Sequence, residues 1–135
     1  FGKGDKVIQA VANILNQYVT EYNGFLGHIG GDDFLAIFNH YIYKKCCEQI
    51  LAEFEEMKPT FYTTKHLEQK YVYTEYRYGN KSKIPLISLS IAVVSNQYRQ
   101  FKNVDEVVEE SMALKRLCKK RKGNVYIDNE MLKCK

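Results

Sequence analysis

Apolar residues recur at helical spacing in three segments of the chain, and each segment predicts an amphipathic helix. The first segment, "GDKVIQAVANILNQYV", contains Asp5 as its predicted N-cap. Its apolar stripe consists of Val7, Ile8, Val11, Ile14, Leu15 and Tyr18. The second helix is predicted from His40 to Met57, and the third from Asn103 to Lys120, with Asn103 and Glu106 forming a capping box. The buried face predicted for the third helix includes Val104, Val107, Val108, Leu114, Leu117 and Cys118.

Shorter apolar runs predict the strands. Residues 25–29 and 34–38 lie on either side of "GGDD" at residues 30–33. This arrangement is typical of a β-hairpin with the two glycines at its tip and the two aspartates beginning the second strand. "IPLISLSIAVVS", residues 84–95, predicts a central strand, and "NVYI" predicts a final short strand. The expected fold is therefore a single α+β domain over residues 1–135, with helices packed on a mainly antiparallel sheet.

The tyrosine-rich segment 60–83 admits two interpretations. Its sequence "YVYTEYRYGNKSK" predicts an irregular strand pair that turns at Gly79 and Asn80. It also interleaves aromatic residues with Lys70 and Arg77, a composition shared with proteins that bind single-stranded nucleic acid. An amphipathic edge hairpin with exposed tyrosines is the favoured interpretation, so no nucleic-acid partner is expected.

Composition and charge bound the class of protein. The chain is 45% hydrophobic and 27% charged, enough for one core, and no apolar run is long enough to span a bilayer. No membrane contact is therefore expected of this domain. The four cysteines and three histidines show no metal-ligand spacing. Free thiols favour a reducing, cytoplasmic compartment, and the lack of an initial methionine predicts that the chain is a piece of a larger protein.

The net charge of +4 is concentrated in "KRLCKKRK", residues 115–122. Cations near a helix C-terminus are favoured by the helix dipole, which makes a solvated helix end the simplest interpretation. A phosphate-binding patch is the alternative. Composition alone favours the solvated helix end.

The stretch "GHIGGDDF" raises a chemical question, because adjacent aspartates disfavour each other's ionisation and aspartate is depleted in strands. Glycine supplies the positive φ angles of a hairpin tip, but it does not explain the carboxylates. A divalent cation would relieve their repulsion, and Mg²⁺ is held by one or two carboxylates together with phosphate oxygens. Spacing alone leaves open a metal–nucleotide platform and a polar turn with solvated aspartates.

"GGDDF" between two such strands resembles the GGDEF signature of diguanylate cyclases, cytoplasmic bacterial signalling enzymes that join two GTP molecules into cyclic di-GMP. "FGKGDKVIQAVANIL" resembles the family's Gly-Asp segment, and "IPLISLSIAVVS" resembles the strand after its third helix. "ALKRLCKKRKGN" is similar to the closing motif A-x-x-A-K-x-x-G-R-N. The insert resembles a subgroup found in longer proteins that carry EAL or other regulatory domains. These motifs occur in the family's order.

The resemblance implies a five-stranded palm-like sheet, as in nucleotidyl cyclases, flanked by helices. It implies that Asp32 and Asp33 hold Mg²⁺ or Mn²⁺ and help to activate the attacking 3′-hydroxyl group. Two such domains, each holding one GTP, would meet face to face as a homodimer, and each hydroxyl would attack the α-phosphorus of the other nucleotide and expel pyrophosphate. A sensor or EAL-type domain is implied elsewhere in the parent chain.

The resemblance also assigns nucleotide contacts to residues outside the acidic pair. Gly30 and Gly31 make room for the bound nucleotide. Asp5 matches the aspartate that bonds the guanine edge, and Lys119 matches the lysine that contacts the terminal phosphates. From the residues alone, Asp5 is equally a helix cap and Lys119 a solvated charge.

The chain departs from the family pattern at several positions. It begins after the segment that carries the first strand, a further metal-binding aspartate and a guanine-binding asparagine, so these 135 residues alone are expected to be inactive. Asp33 replaces the usual glutamate, and Gly123 replaces the arginine of the closing motif. "EYNG", residues 21–24, replaces the R-x-x-D motif of product inhibition.

Two functions therefore remain open. One is a working diguanylate cyclase domain of a larger signalling protein. The other is a degenerate GGDEF module that binds GTP or a partner domain and regulates a neighbour such as an EAL phosphodiesterase.

Overall fold

The computed structural model describes residues 2–75, 79 and 81–134, which form an α+β fold. The helices are α1 (Gly2–Glu21), α2 (Tyr43–Met57), α3 (Thr64–Gln69) and α4 (Val104–Lys119). The strands are β1 (Phe25–Gly30), β2 (Asp33–Ile37), β3 (Tyr71–Glu75), β4 (Lys81–Pro85), β5 (Ser90–Val93) and β6 (Val125–Asp128). Short 3₁₀ turns cover Lys58–Thr60 and Met131–Cys134.

The described strands form three two-stranded sheets and not one continuous sheet. β1 pairs with β2 and β3 with β4, both antiparallel, whereas β5 and β6 are parallel. A parallel pair needs a crossover connection, and α4 provides it and packs against both strands. The α+β class predicted from the sequence is thus confirmed.

The larger core cluster joins α1 and α2. Its buried members are Val7, Val11, Ile14, Ile50, Phe54 and Phe61. Phe34 of β2 and Ile91 of β5 pack against this same cluster. The hairpin β1–β2 and the pair β5–β6 therefore lie on one layer of helices, although no described pairing joins them.

A smaller core cluster lies between α4 and the pair β5–β6. Its buried members are Leu114, Cys118 and Ile127, and Ala92 of β5 packs against them. Successive side chains of a strand point to opposite faces. Ile91 therefore contacts the α1–α2 layer while Ala92 contacts the α4 layer, which leaves β5 enclosed on both faces.

The predicted helical stripes are confirmed on α1 and α2 but only in part on α4. Val104 and Val108 are 74% and 47% exposed, so their prediction as buried residues is wrong. They occupy the first two turns of α4, whereas the buried residues of this helix, Leu114 and Cys118, lie in its C-terminal half. The cap is confirmed, because Asn103 Oδ1 accepts a hydrogen bond of 3.0 Å from Glu106 N.

Three element boundaries differ from the sequence prediction. Asp5 is not an N-cap, because α1 already begins at Gly2 and Asp5 lies in its first turn. The second helix begins at Tyr43 and not at His40. Residues 84–95 are not one strand: Pro85 ends β4, since a proline has no N–H to extend the ladder, and β5 begins only at Ser90.

The strand pair predicted in segment 60–83 is confirmed as β3 and β4. Arg77 and Asn80, which the sequence interpretation used, lie outside the described residues. The short helix α3 was not predicted, and it begins where Thr63 Oγ1 accepts a hydrogen bond from His66 N. None of the helices formed by the described residues has the length and apolar character needed to cross a bilayer.

Candidate functional site

The glycine–aspartate stretch forms the tip of the β1–β2 hairpin. Gly30 pairs with Asp33, so the two-residue tip consists of Gly31 and Asp32. The sequence prediction was one residue out of register, because it placed the tip at Gly30–Gly31 and began the second strand at Asp32. A bulge between His28 and Gly30 shifts the register.

The glycines of the tip are required by backbone conformation. Gly30 has φ +152° and Gly31 has φ +54°, values that side-chain-bearing residues rarely adopt. A Cβ atom added at either position would meet nothing within 4 Å. The backbone of the tip is therefore open to solvent on the side where these side chains would stand.

The side chain of His28 connects the hairpin tip to Phe34 and, through Phe34, to the core. Its Nε2 atom donates a hydrogen bond of 2.8 Å to the carbonyl oxygen of Gly31. Its ring stacks on Phe34 with centroids 4.5 Å apart, and Phe34 packs against the α1–α2 core. Sequence reasoning gave His28 no role, although the hairpin register makes it the cross-strand partner of Phe34.

A cation of α4 lies against the acidic tip. Lys115 Nζ is 3.5 Å from Asp33 Oδ1, and both side chains are about half exposed. Lys119 follows four residues later and therefore lies on the same face of α4. Among the ion pairs of the described residues, none joins Lys119 itself to the tip. Lys115 was missed from the sequence, because its partner is distant along the chain.

Asp5 is exposed in the first turn of α1, and the chain path brings that turn toward the tip. Residues 22–24 connect α1 to β1, so β1 runs back along the helix, and α1 contacts both strands of the hairpin. Phe34, which follows Asp33, packs in the same cluster as Val7. Asp5, Asp32 and Asp33 thus lie toward the same end of the α1–hairpin unit, whereas Lys119 is supplied by α4.

The tip offers donor atoms for a metal bound together with phosphates. Asp32 and Asp33 supply two exposed carboxylates, the number that Mg²⁺ commonly takes when phosphate and water oxygens complete its shell. In residues 2–75, 79 and 81–134, no group of three or more His, Cys, Asp or Glu side chains is arranged to hold a metal ion. The donor chemistry therefore fits a metal–phosphate complex and does not provide a metal cage made by protein alone.

Comparison with other proteins adds no relative to this description. No family model, curated protein or solved structure matches the chain. The functional interpretation therefore rests on the sequence motifs and on the geometry of the tip.

Proposed function

We propose that this chain is a GGDEF-type domain that condenses two GTP molecules into cyclic di-GMP and pyrophosphate in its intact parent protein. The observation that carries the proposal is the open hairpin tip, where Gly30 and Gly31 expose the backbone beside Asp32 and Asp33. Lys115 adds a cation at the same place. A tip with this combination of groups suits a nucleotide triphosphate with its metal.

Asp32 and Asp33 would hold Mg²⁺ or Mn²⁺ in this proposal. When bound, such a metal stabilises negative charge on phosphates and lowers the pKa of a hydroxyl nucleophile. Metal binding by Asp33 would replace its ion pair with Lys115. The ammonium group of Lys115 would then face the phosphates. The Asp33 carboxylate would also help to orient the 3′-hydroxyl group.

Asp5 and Lys119 would hold the two ends of the nucleotide. Asp5 lies in the first turn of α1 and would accept hydrogen bonds from the guanine edge. Lys119 lies in the last turn of α4, on the face that Lys115 turns toward the tip, and would pair with the terminal phosphates.

A palm-like sheet is also part of the proposal. β2 and β5 lie on the same helical layer, yet β2 pairs only with β1 and β5 only with β6 among the described strands. Leu35 and Ile37 of β2 remain 45% and 52% exposed. One further strand, supplied from outside the described residues, would pair with both edges, which gives the five strands of a palm.

The symmetry of the product implies a two-fold homodimer of these domains, since each GTP supplies one attacking hydroxyl. The parent protein would be cytoplasmic and would carry a sensor or EAL-type domain that controls the pairing. No contact of this domain with a membrane or nucleic acid is part of the proposal.

A second candidate function is supported by the details of the acidic pair. Asp33 is one methylene shorter than the family's glutamate, and it is already paired with Lys115. Reactive geometry tolerates little displacement. A module of this kind would bind GTP or a partner domain without turnover and would regulate a neighbour such as an EAL phosphodiesterase.

The test is an assay of the full-length parent with GTP and Mg²⁺, with cyclic di-GMP measured by chromatography and GTP binding measured separately. The cyclase proposal predicts product, with a loss of about a hundredfold or more in Asp33→Ala. Glu109→Ala, which removes an exposed acid of α4, should retain activity.

GTP binding without product would select the regulatory module. Neither GTP binding nor product would overturn the cyclase and the GTP-binding module, and would leave only a module that binds a partner domain. The 135 residues assayed alone should show turnover near background, and robust turnover by them would mean that the catalytic groups are misassigned.

A further inference from the structure

A groove between α1 and α2 is separate from the hairpin tip. An open cavity of about 330 Å³ lies near the C-terminal end of α1, bordered by Tyr18 and Glu21 of α1, by Tyr22 just after the helix, and by Lys45 and Glu53 of α2. A second cavity of about 460 Å³ adjoins it and shares Glu53. The groove therefore runs along the α1–α2 contact, with Glu53 at the junction of its two parts.

Glu53 has an unmet hydrogen-bonding requirement. Its Oε2 atom is buried and has no hydrogen-bond partner among the described residues. Burial, together with the neighbouring Glu53 carboxylate, raises the pKa of Tyr18 to about 12. Buried carboxylate oxygens in folded proteins normally have a donor, so the groove lacks one N–H or O–H group.

Two tyrosines border the groove at the end of α1. Tyr18 lies in its last turn, and Tyr22 follows the helix with its backbone N–H donating a hydrogen bond of 3.2 Å to the Tyr18 carbonyl oxygen. The Tyr22 ring is fixed in place by His40 at 4.5 Å and by an edge contact with Phe38 at 6.4 Å between centroids. Tyrosine faces attract cations.

Carboxylates outnumber cations along the groove. Glu21 and Glu53 border the first cavity and Glu56 the second, and Lys45 is the basic residue among those that line them. This local excess of negative charge contrasts with the net charge of +4 of the whole chain. The groove therefore selects against anions and favours a positively charged ligand.

We propose that the groove binds a small organic cation that carries an alkyl guanidinium group. A rotation of the Glu53 side chain would bring Oε2, which is buried without a ligand, to the groove surface, where the N–H atoms of the guanidinium would donate to it. The planar face of the guanidinium would lie against Tyr18 or Tyr22, a geometry that guanidinium adopts more readily than ammonium. The cavity of about 330 Å³ has the size of a small-ligand site. This site does not depend on the function of the hairpin tip.

The test is isothermal titration of the 135-residue chain with agmatine, and with putrescine as the ammonium counterpart. We expect saturable binding of one agmatine per chain, at least tenfold weaker binding of putrescine, and at least tenfold weaker agmatine binding to Glu53→Gln. Glu109→Gln, which removes an exposed carboxylate of α4, should bind agmatine like the unchanged chain. No binding at millimolar agmatine, or equal binding by Glu53→Gln and the unchanged chain, would overturn the proposal.

A second measurement covers the case in which Glu53→Gln does not fold. Addition of agmatine to the unchanged, ¹⁵N-labelled chain should shift amide resonances near Tyr18, Tyr22 and Glu53. Shifts confined to other regions, such as the hairpin tip, would contradict the assignment of the ligand to this groove.

Discussion

The ammonium of Lys115 lies 3.5 Å from a carboxylate oxygen of Asp33, and this ion pair links α4 to the first residue of β2. Solvent screens the pair, because both side chains are about half exposed, and such pairs contribute little to stability. Its main effect is on local charge, since it compensates one of the two adjacent aspartates. Any ligand that binds Asp33 must therefore displace Lys115 or bind it as well.

Removing this cation should strengthen metal binding at the tip. In Lys115→Met, we expect the affinity for Mn²⁺, measured by electron paramagnetic resonance, to rise several-fold, because Asp33 loses a positive charge 3.5 Å away. The free energy of unfolding should change by less than about 1 kcal/mol. Lys120→Met removes an exposed cation just beyond the end of α4 and should leave Mn²⁺ affinity unchanged. Weaker or equal binding by Lys115→Met would show that Asp33 is not a metal ligand.

Substitutions of glycine should have opposite effects at the tip and in α1. Gly31→Ala is expected to lower the free energy of unfolding by about 1–2 kcal/mol, because alanine is strained at φ +54° even though its Cβ meets no atom. Gly4→Ala is expected to raise the free energy of unfolding by about 0.5–1 kcal/mol. A Cβ also has open space at Gly4, and alanine favours the helical conformation. Urea unfolding measures both, and changes of the same sign would contradict the conformational argument.

Removing a tyrosine hydroxyl should destabilise the fold more when its hydrogen-bond partner is a buried carboxylate than when the tyrosine is exposed. Tyr43 donates a hydrogen bond of 2.9 Å to Asp128 Oδ2, and Asp128 is 0% exposed. Tyr43→Phe should therefore cost about 1–3 kcal/mol of unfolding free energy. Tyr41→Phe removes a bond of equal length to Asn96 from an exposed residue and should cost less than about 0.5 kcal/mol. Equal losses of unfolding free energy in the two variants would show that burial of the hydrogen bond does not set its contribution to stability.

Stability should fall at alkaline pH in part because of Tyr18. Its pKa is raised from the ordinary value of 10 to about 12, so between these values the unfolded chain releases a proton that the folded chain retains. The associated stability is full below pH 10 and is lost as the pH rises toward 12. Tyr18→Phe should flatten this part of the profile in urea unfolding measured from pH 9 to 11.5. Identical slopes in both proteins would rule out this linkage.

Periodicity predicted α1, α2, α4 and the hairpins because each depends on residues close in the sequence. Uniform apolar runs were less informative. Pro85 marks the end of β4 within "IPLISLSIAVVS", but nothing in the run marks Ser90 as the start of β5, because that boundary depends on which strands pair in the folded chain. Asp5 was predicted as a cap because it precedes the apolar stripe, whereas α1 already begins at Gly2.

The local sequence predicted the hairpin residues of the candidate site, the resemblance added Asp5 and Lys119, and Lys115 of α4 was missed. The prediction for the tip differed by one residue because a bulge cannot be read from alternation alone. Lys115 meets Asp33 only after α4 has packed against the sheet, and nothing in the local sequence distinguishes it from the neighbouring cations. Nothing in the local sequence distinguishes Glu53 from the other acids of α2 either.

The smaller core also bears on how the native chain opens. All its members, buried and half-buried, come from residues 92–132, so β5, α4 and β6 share a core built from this part of the chain alone. Regions with their own core often open as cooperative units. Amides of α4 should therefore exchange with solvent as one group, at a rate distinct from those of α1, which would make the C-terminal third of the chain a separate folding unit.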